Sequence, residues 1–311
     1  MGQYSKVEID GRLMIVTINR PEVRNACHPM ANEELVAAFD EFHANPDLWV
    51  AIITGAGGGI GRSYALHFAK AGAKVVVNDL GGNRHGAGKS SEMADKVVAE
   101  VKAAGGEAVA NYDNVATREG ADGMLWTALN KYGRCDILVN NAGVLRDRTF
   151  LNMSDEEWDV VFAVHMKGSY YCAQAVARHL KVQNSGGRII NTTSVSGLMG
   201  SFGQANYAAA KAGIFGFTRT LAQEMVKMKV TVNAIAPIAY TRMTEDLKMM
   251  AQMGNAKESL APDHIAPVAV FLASDLAADI NGVVVGVQGN EVSIYRMLQT
   301  SGLTPKSGDT W

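Results

Sequence analysis

The chain has 311 residues, 48% of them hydrophobic, enough to build a large α/β core without disulfides or a structural metal. Its net charge of −2, with acids and bases interspersed, offers no basic stripe to a nucleic-acid backbone, and no apolar run reaches the ~18 residues that span a bilayer. Three widely spaced cysteines, Cys27, Cys135 and Cys172, fit neither a disulfide framework nor zinc-ligand spacing, so the expectation is a metal-free protein of the reducing cytoplasm. The opening residues lack the order of a signal peptide, and the closing Gly308-Asp309-Thr310-Trp311 is not a peroxisomal address.

From Val7 to Ile18, apolar and polar residues alternate around Asp10-Gly11, which predicts a hairpin. Leu35, Ala38, Phe39 and Phe42 recur at helical spacing between Asn32 and the breaker Asn45-Pro46, which predicts one amphipathic helix. This opening, with Asn19-Arg20-Pro21-Glu22-Val23-Arg24-Asn25-Ala26 between hairpin and helix, resembles the start of a crotonase (enoyl-CoA hydratase) chain. The resemblance stops near Gly58, before the segments that carry hydratase chemistry, so residues 1–49 are expected to be an appended hairpin and helix.

From Val50 the pattern changes. Short β-branched runs at Val50–Thr54, Val75–Asn78, Ile137–Asn140 and Arg188–Thr192 alternate with stretches of helical periodicity. That alternation predicts βαβ units and a Rossmann-like, doubly wound parallel sheet over residues 50–290, with 291–311 as a tail. Thr54-Gly55-Ala56-Gly57-Gly58-Gly59-Ile60-Gly61 lies where the first strand meets a helix expected from Arg62 to Ala71. Gly55, Gly59, Ile60 and Gly61 there permit a tight turn and bring the backbone close to a pyrophosphate on the helix N-terminus. Asp79, eighteen residues after Gly61, ends the second strand and can accept hydrogen bonds from ribose hydroxyls while repelling the extra phosphate of NADP. NAD is therefore the expected cofactor. The Gly-rich stretch Gly81–Gly88 reads as a mobile loop, and Arg84 within it could soften that preference.

Two further strand ends point to the same crevice: Asp113 and Asn114 toward adenine, and Asn141, Ala142 and Gly143 toward the ribose and nicotinamide. Ile238, after the following strands, completes the expected cofactor set. Tyr207 and Lys211 are four residues apart, one helical turn, and share a face. A tyrosine at its ordinary pKa of about 10 is a poor base at neutral pH, and a nearby ammonium favours the phenolate. Ser194, thirteen residues before Tyr207, can hydrogen-bond a substrate oxygen as its charge changes.

Thr54 to Gly61, Asn140 to Gly143, Ser194, Tyr207 and Lys211 resemble, in order and spacing, the motifs of the short-chain dehydrogenase/reductase family. The resemblance implies a Rossmann-like subunit in a homodimer or homotetramer, with Ser194, Tyr207 and Lys211 catalytic and Tyr207 and Lys211 also touching the cofactor. One position departs from the family pattern. Where an asparagine commonly holds a water, this chain has His165, which either keeps that function or is a packed core side chain.

Asn78 to Gly82, Gly105 to Asp113, Asn140 to Phe150 and Phe202 to Tyr207 are similar to the dehydrogenase part of multifunctional β-oxidation enzymes, where histidine also replaces the asparagine. That similarity implies an acyl-CoA thioester substrate, 3-hydroxyacyl-CoA oxidised to 3-ketoacyl-CoA. Arg146, Asp147 and Arg148 are placed either to meet CoA phosphates or to form local ion pairs. Met243, Met249, Met250 and Met253 suit an adaptable apolar pocket or core filling. Two other readings remain: a dehydrogenase of a free alcohol, steroid or cyclic ketone, and a non-catalytic NAD-binding subunit.

Overall fold

The computed structural model describes residues 5–10, 13–18, 49–245 and 254–301. The helix expected within 32–45, and Cys27, Met249, Met250 and Met253, lie outside the described residues. The predicted hairpin is present: β1 (Ser5–Asp10) pairs antiparallel with β2 (Leu13–Ile18), Asp10 opposite Leu13.

From Trp49 onward strands and helices alternate. The first half runs β3 (Val50–Thr54), α1 (Gly59–Lys70), β4 (Lys74–Asn78), α2 (Glu92–Ala103), β5 (Ala108–Asn111) and α3 (Arg118–Tyr132). The second runs β6 (Ile137–Asn140), α4 (Asp155–Phe162), α5 (Gly168–Gln183), β7 (Gly187–Thr192), α6 (Val195–Met199), α7 (Ala205–Glu224), β8 (Val230–Ile238), α8 (Ala256–Ser259), α9 (Ala266–Ala273), β9 (Val284–Gln288) and β10 (Glu291–Tyr295).

Eight strands form one sheet in the order β10-β9-β8-β7-β6-β3-β4-β5, parallel except for β10. The chain moves outward from β3 to β5, then returns to lay β6 against the other side of β3 and moves outward the opposite way. The ends of β3 and β6 are thus the topological switch point, where open α/β sheets leave a crevice for ligands. The boundary expected at 290 falls between two paired strands, because Glu291 lies opposite Gln288 and Gly289, at φ +52°, makes the turn.

The central strands are apolar throughout because both faces are covered. Ala51 and Ile53 of β3 face one way, onto Tyr64 and Phe68 of α1, Val97 and Val101 of α2 and Leu272 of α9. Val50 and Ile52 face the other, onto Met124 of α3 and Cys172, Val176 and Leu180 of α5.

One polar group holds the start of this sheet. The fully buried Asp136 accepts from Val50 N at 2.9 Å, from Arg134 Nε and Nη2 at 2.9 and 2.7 Å, and from Gln183 Nε2 at 3.0 Å. Removing the carboxylate takes the side-chain acceptor from the Val50 amide and the paired negative charge from the largely buried Arg134. Asp136→Ala is expected to cost about 3–5 kcal/mol in chemical denaturation, whereas Asp122→Ala on exposed α3 surface is expected to change stability by less than ~0.5 kcal/mol.

Candidate active site

The glycine turn is shaped by contacts that leave no room for side chains. Gly55 has φ +62°, and a Cβ there would lie 2.7 Å from Ala142 Cα. A Cβ on Gly61 would collide with the Gly55 carbonyl oxygen, so α1 rests directly on the turn. Helix α1 begins at Gly59 rather than near Arg62, as the turn itself winds into the first helical residues. Its N-cap, Gly58, offers no side chain and its first turn carries no acid, so its first N–H groups are available to an anion.

Above this turn opens a cavity of about 300 Å³. It is lined by Gly55, Gly59, Ile60 and Gly61 from the turn, Asp79 from the end of β4, Asp113 and Asn114 after β5, and Asn141, Ala142 and Gly143 after β6. Each of these sequence-derived cofactor positions therefore faces one space. Three others do not line it: Ile238 packs with Tyr240 on Ala256 and Leu260, and Tyr207 and Lys211 lie outside the lining, although Tyr207 packs in one cluster with Val144, Val160 and Val164, which belong to it.

The Asp79 carboxylate is fixed at both oxygens, Oδ2 accepting from Gly57 N at 2.8 Å and Oδ1 from Gly81 N at 2.7 Å. Asp113 Oδ2 accepts from Asn111 Nδ2 at 2.7 Å, so its carboxylate braces the end of β5. The bare turn, the free helix N-terminus and the carboxylate at the second strand end together fit a dinucleotide.

Part of the lining of the cavity comes from residues that the sequence did not single out. Thr241 and Arg242 line it with Met243 from the segment after β8, and Val160 and Val164 from the α4 side. Only the sequence position of Met243 hinted at this wall. The Gly81–Gly88 stretch, expected to be a loop, is one, and carries its own hydrogen bonds. Asn83 Oδ1 accepts from His85 N and Ala87 N at 2.9 and 3.1 Å, and Arg146 Nε donates to His85 O at 2.8 Å. Arg148 is paired with Glu157 at 3.1 Å, which favours the ion-pair reading of that residue over a phosphate role.

Ser194, Tyr207 and Lys211 come together at the junction of β7, α6 and α7. Gly197 lets α6 press on α7, since a Cβ there would lie 2.6 Å from Ala212 N. Ser194 caps α6, its Oγ accepting from Ser196 N at 3.2 Å, and its side chain lies close enough to that of Tyr207 to pull the phenol's pKa down. Lys211 Nζ lies 5.6 Å from the Tyr207 ring centroid and donates to Thr192 O at 2.6 Å.

The expected pull of the Lys211 ammonium on the phenol is opposed by burial. Burial pushes Tyr207 above its ordinary value, the Ser194 hydrogen bond pulls it back, and the Asp147 carboxylate pushes it up. Lys211 is itself buried, and burial lowers its pKa to about 7, which weakens its hold on the proton.

His165 lies in a π-helical turn, Ala163–Lys167, between α4 and α5. Its Nε2 is 2.9 Å from Val144 O and 3.1 Å from Val144 N, and its ring meets Tyr207 edge-on with centroids 5.2 Å apart. Burial, followed by the nearby Lys211 charge, lowers its pKa to about 3, so the imidazole is neutral. Gly143 makes room for it, because a Cβ there would lie 2.5 Å from Cε1. His165 clamps the turn after β6 through Nε2, and its Nδ1 is buried without a hydrogen-bond partner.

The short chain dehydrogenase family model matches residues 49–252, and the chain belongs to that family. A hydroxyacyl-CoA dehydrogenase of Mycobacterium tuberculosis is 40% identical over 271 residues, 84% of each chain. The peroxisomal hydratase-dehydrogenase-epimerase of Neurospora crassa is 47% identical over 262 residues, which are 84% of this chain but only 28% of that longer protein. Among solved structures, a short chain dehydrogenase from Mycobacterium avium superposes with a TM-score of 0.74 at 42% identity, covering 84% of this chain and 89% of that one. The protein is an oxidoreductase of this family, and no helix among the described residues is long and apolar enough to cross a membrane.

The depressed lysine gives a pH signature. Between its folded pKa of about 7 and the ordinary 10.5, the unfolded chain binds a proton that the folded chain does not. Stability from this group therefore rises with pH through that window, and the whole cost of burying the ammonium is carried below it. In the cofactor-free protein, the stability of Lys211→Met relative to wild type is expected to be most favourable at pH 6 and to decline as pH rises toward 10, measured by denaturant midpoints across that range.

Proposed function

We propose that this protein is an NAD-dependent dehydrogenase that interconverts 3-hydroxyacyl-CoA and 3-ketoacyl-CoA thioesters. The observation that carries the reading is the meeting of Ser194, Tyr207 and Lys211 beside a glycine-floored cavity whose second strand ends in a fixed carboxylate, Asp79. The name of the Mycobacterium tuberculosis relative supports the substrate class.

When bound, the nicotinamide accepts or returns the hydride. The chain's own residues handle the proton and the orientation. Ser194 Oγ accepts from Ser196 N, which leaves its hydroxyl proton free to point at Tyr207 or at a substrate oxygen. Tyr207 takes the alcohol proton in oxidation and returns it in reduction. Lys211, held on Thr192 O, presents its remaining N–H donors toward the Tyr207 side of the site. Asp79 keeps a lone pair on each oxygen for ribose hydroxyls after serving Gly57 and Gly81, and its charge disfavours a 2′-phosphate. The reducing cytoplasm and a homodimer or homotetramer belong to the same proposal. Cys135 and Cys172 are buried free thiols, which suits a reducing compartment.

The test is formation of reduced nicotinamide from a panel of 3-hydroxyacyl-CoA esters, with the free hydroxy acids and NADP as controls. Turnover of the thioesters with NAD is expected; turnover of the free acids alone would overturn the substrate reading. Tyr207→Phe is expected to lower kcat/KM by roughly 10²–10⁴-fold while NAD binding persists. Asp79→Ala is expected to narrow the preference for NAD over NADP at least tenfold, about 1.4 kcal/mol, read as the ratio of the two kcat/KM values.

A further inference from the structure

Ser194 is positioned by more than its neighbours in sequence. Gln204, in the turn that enters α7, is bonded at both ends of its amide: Nε2 donates to Asp147 Oδ2 at 2.8 Å, and Oε1 accepts from Ser196 Oγ at 2.9 Å. Ser196 in turn donates its backbone N–H to Ser194 Oγ at 3.2 Å. A chain of hydrogen bonds thus runs from the exposed Asp147 through Gln204 and Ser196 to Ser194, the residue whose hydroxyl acts on Tyr207.

The backbone around this chain is fixed independently. Arg148 N donates to Gly203 O at 2.8 Å, and Arg148 and Gln204 form a parallel bridge. Asn206, fully buried, donates from Nδ2 to Arg146 O at 2.9 Å and to Glu157 O at 2.8 Å. The two arginines flanking Asp147 are committed elsewhere, Arg148 to Glu157 and Arg146 to His85 O. The groups that face Tyr207 are Lys211 from its own helix, His165 from the π turn, Ser194 from the start of α6 and Asp147 from the loop after β6.

We propose that Asp147 and Gln204 are positioning residues: Gln204, through Ser196, sets the Ser194 hydroxyl on the Tyr207 oxygen, while Asp147 anchors Gln204 and places a negative charge near the phenol. The two ends of the chain then act in opposite senses. A Ser194 hydroxyl donating to Tyr207 favours the phenolate, and the Asp147 charge disfavours it, so the pair sets how readily Tyr207 ionises. Asp147 helps to keep the phenol protonated, the form that donates to a carbonyl oxygen in the reductive direction. This inference rests on Tyr207 being the acid/base of the proposed dehydrogenase, and it is tested by a readout that requires no substrate.

Titration of the tyrosinate ultraviolet band, each variant measured against the same background carrying Tyr207→Phe, isolates the Tyr207 midpoint in the full-length protein. Asp147→Asn is expected to lower that midpoint by about half a unit or more, and Asp147→Glu, which keeps the charge, to return it toward wild type. Gln204→Met is expected to raise the midpoint, and to add nothing once Ser194→Ala is present, because both act through the same hydroxyl. The acid limb of kcat/KM for alcohol oxidation should move in the same directions. An unmoved midpoint in Asp147→Asn, or a Gln204→Met shift that persists undiminished beside Ser194→Ala, overturns the proposal. Failure of the thioester assay with these shifts intact would instead locate the error in the substrate reading.

Discussion

The architecture turns on how closely the ends of β3 and β6 approach at the switch point of the sheet. Thr54 Oγ1 accepts from both Asn141 N and Ala142 N at 3.0 Å, and Asn141 Nδ2 donates back to Thr54 O at 3.0 Å and Gly55 O at 3.2 Å. Two strand ends that would otherwise splay are sewn together, and only a glycine at 55 tolerates the spacing. The glycine turn is forced upward from this seam, which gives the cavity its floor. The turn after β6 is equally fixed, and it is the surface on which His165 rests.

Through His165 the same constraint reaches the chemistry. Val144 and Gly143 hold the imidazole, the imidazole packs edge-on against Tyr207, and Tyr207 shares α7 with Lys211. The glycine-floored cavity and the Ser194–Tyr207–Lys211 group are therefore consequences of one local packing solution rather than two separately placed features. The π-helical turn at Ala163–Lys167 is the backbone adjustment that brings His165 inward, in keeping with the tendency of such bulges to occur at functional positions.

Burial governs the electrostatics of this group more strongly than pairing does. Tyr207, Lys211 and His165 are each shifted first by desolvation, and each toward its neutral form. A cluster that is largely neutral at physiological pH carries less desolvation cost than one with a full ammonium and phenolate in place. It also leaves proton occupancy responsive to small charges nearby, so a carboxylate such as Asp147 can matter from the rim.

The sequence exposed a good deal of this. The runs at Val50–Thr54 and Ile137–Asn140 are strands with those bounds, because strands buried on both faces must be apolar throughout. The glycine spacing and Asp79 pointed to the cavity because backbone approach to a phosphate restricts residue choice at each position. Tyr207 and Lys211 could be paired because helical periodicity alone puts them on one face. Other features left a weaker trace. The strand β10 begins where the tail was expected, at Glu291, and its only local signals are the Gly289-Asn290 turn and the brief polar-apolar alternation Glu291-Val292-Ser293-Ile294. Thr241 and Arg242 reach the cavity only because β8 ends beside it.

What the residue order determined by itself was therefore the alternation of elements, the glycine turn at the switch point and the pairing of Tyr207 with Lys211 on one helix face, all of which follow from periodicity and steric exclusion within a few residues. What only the tertiary structure decided was their protonation and their support. The direction of the Tyr207 shift, the lysine near 7, the clamping of His165 and the link from Asp147 through Gln204 to Ser194 all depend on contacts between segments far apart in the chain. Desolvation is set by the atoms that surround a group in space, and no local spacing rule encodes which distant segments those will be.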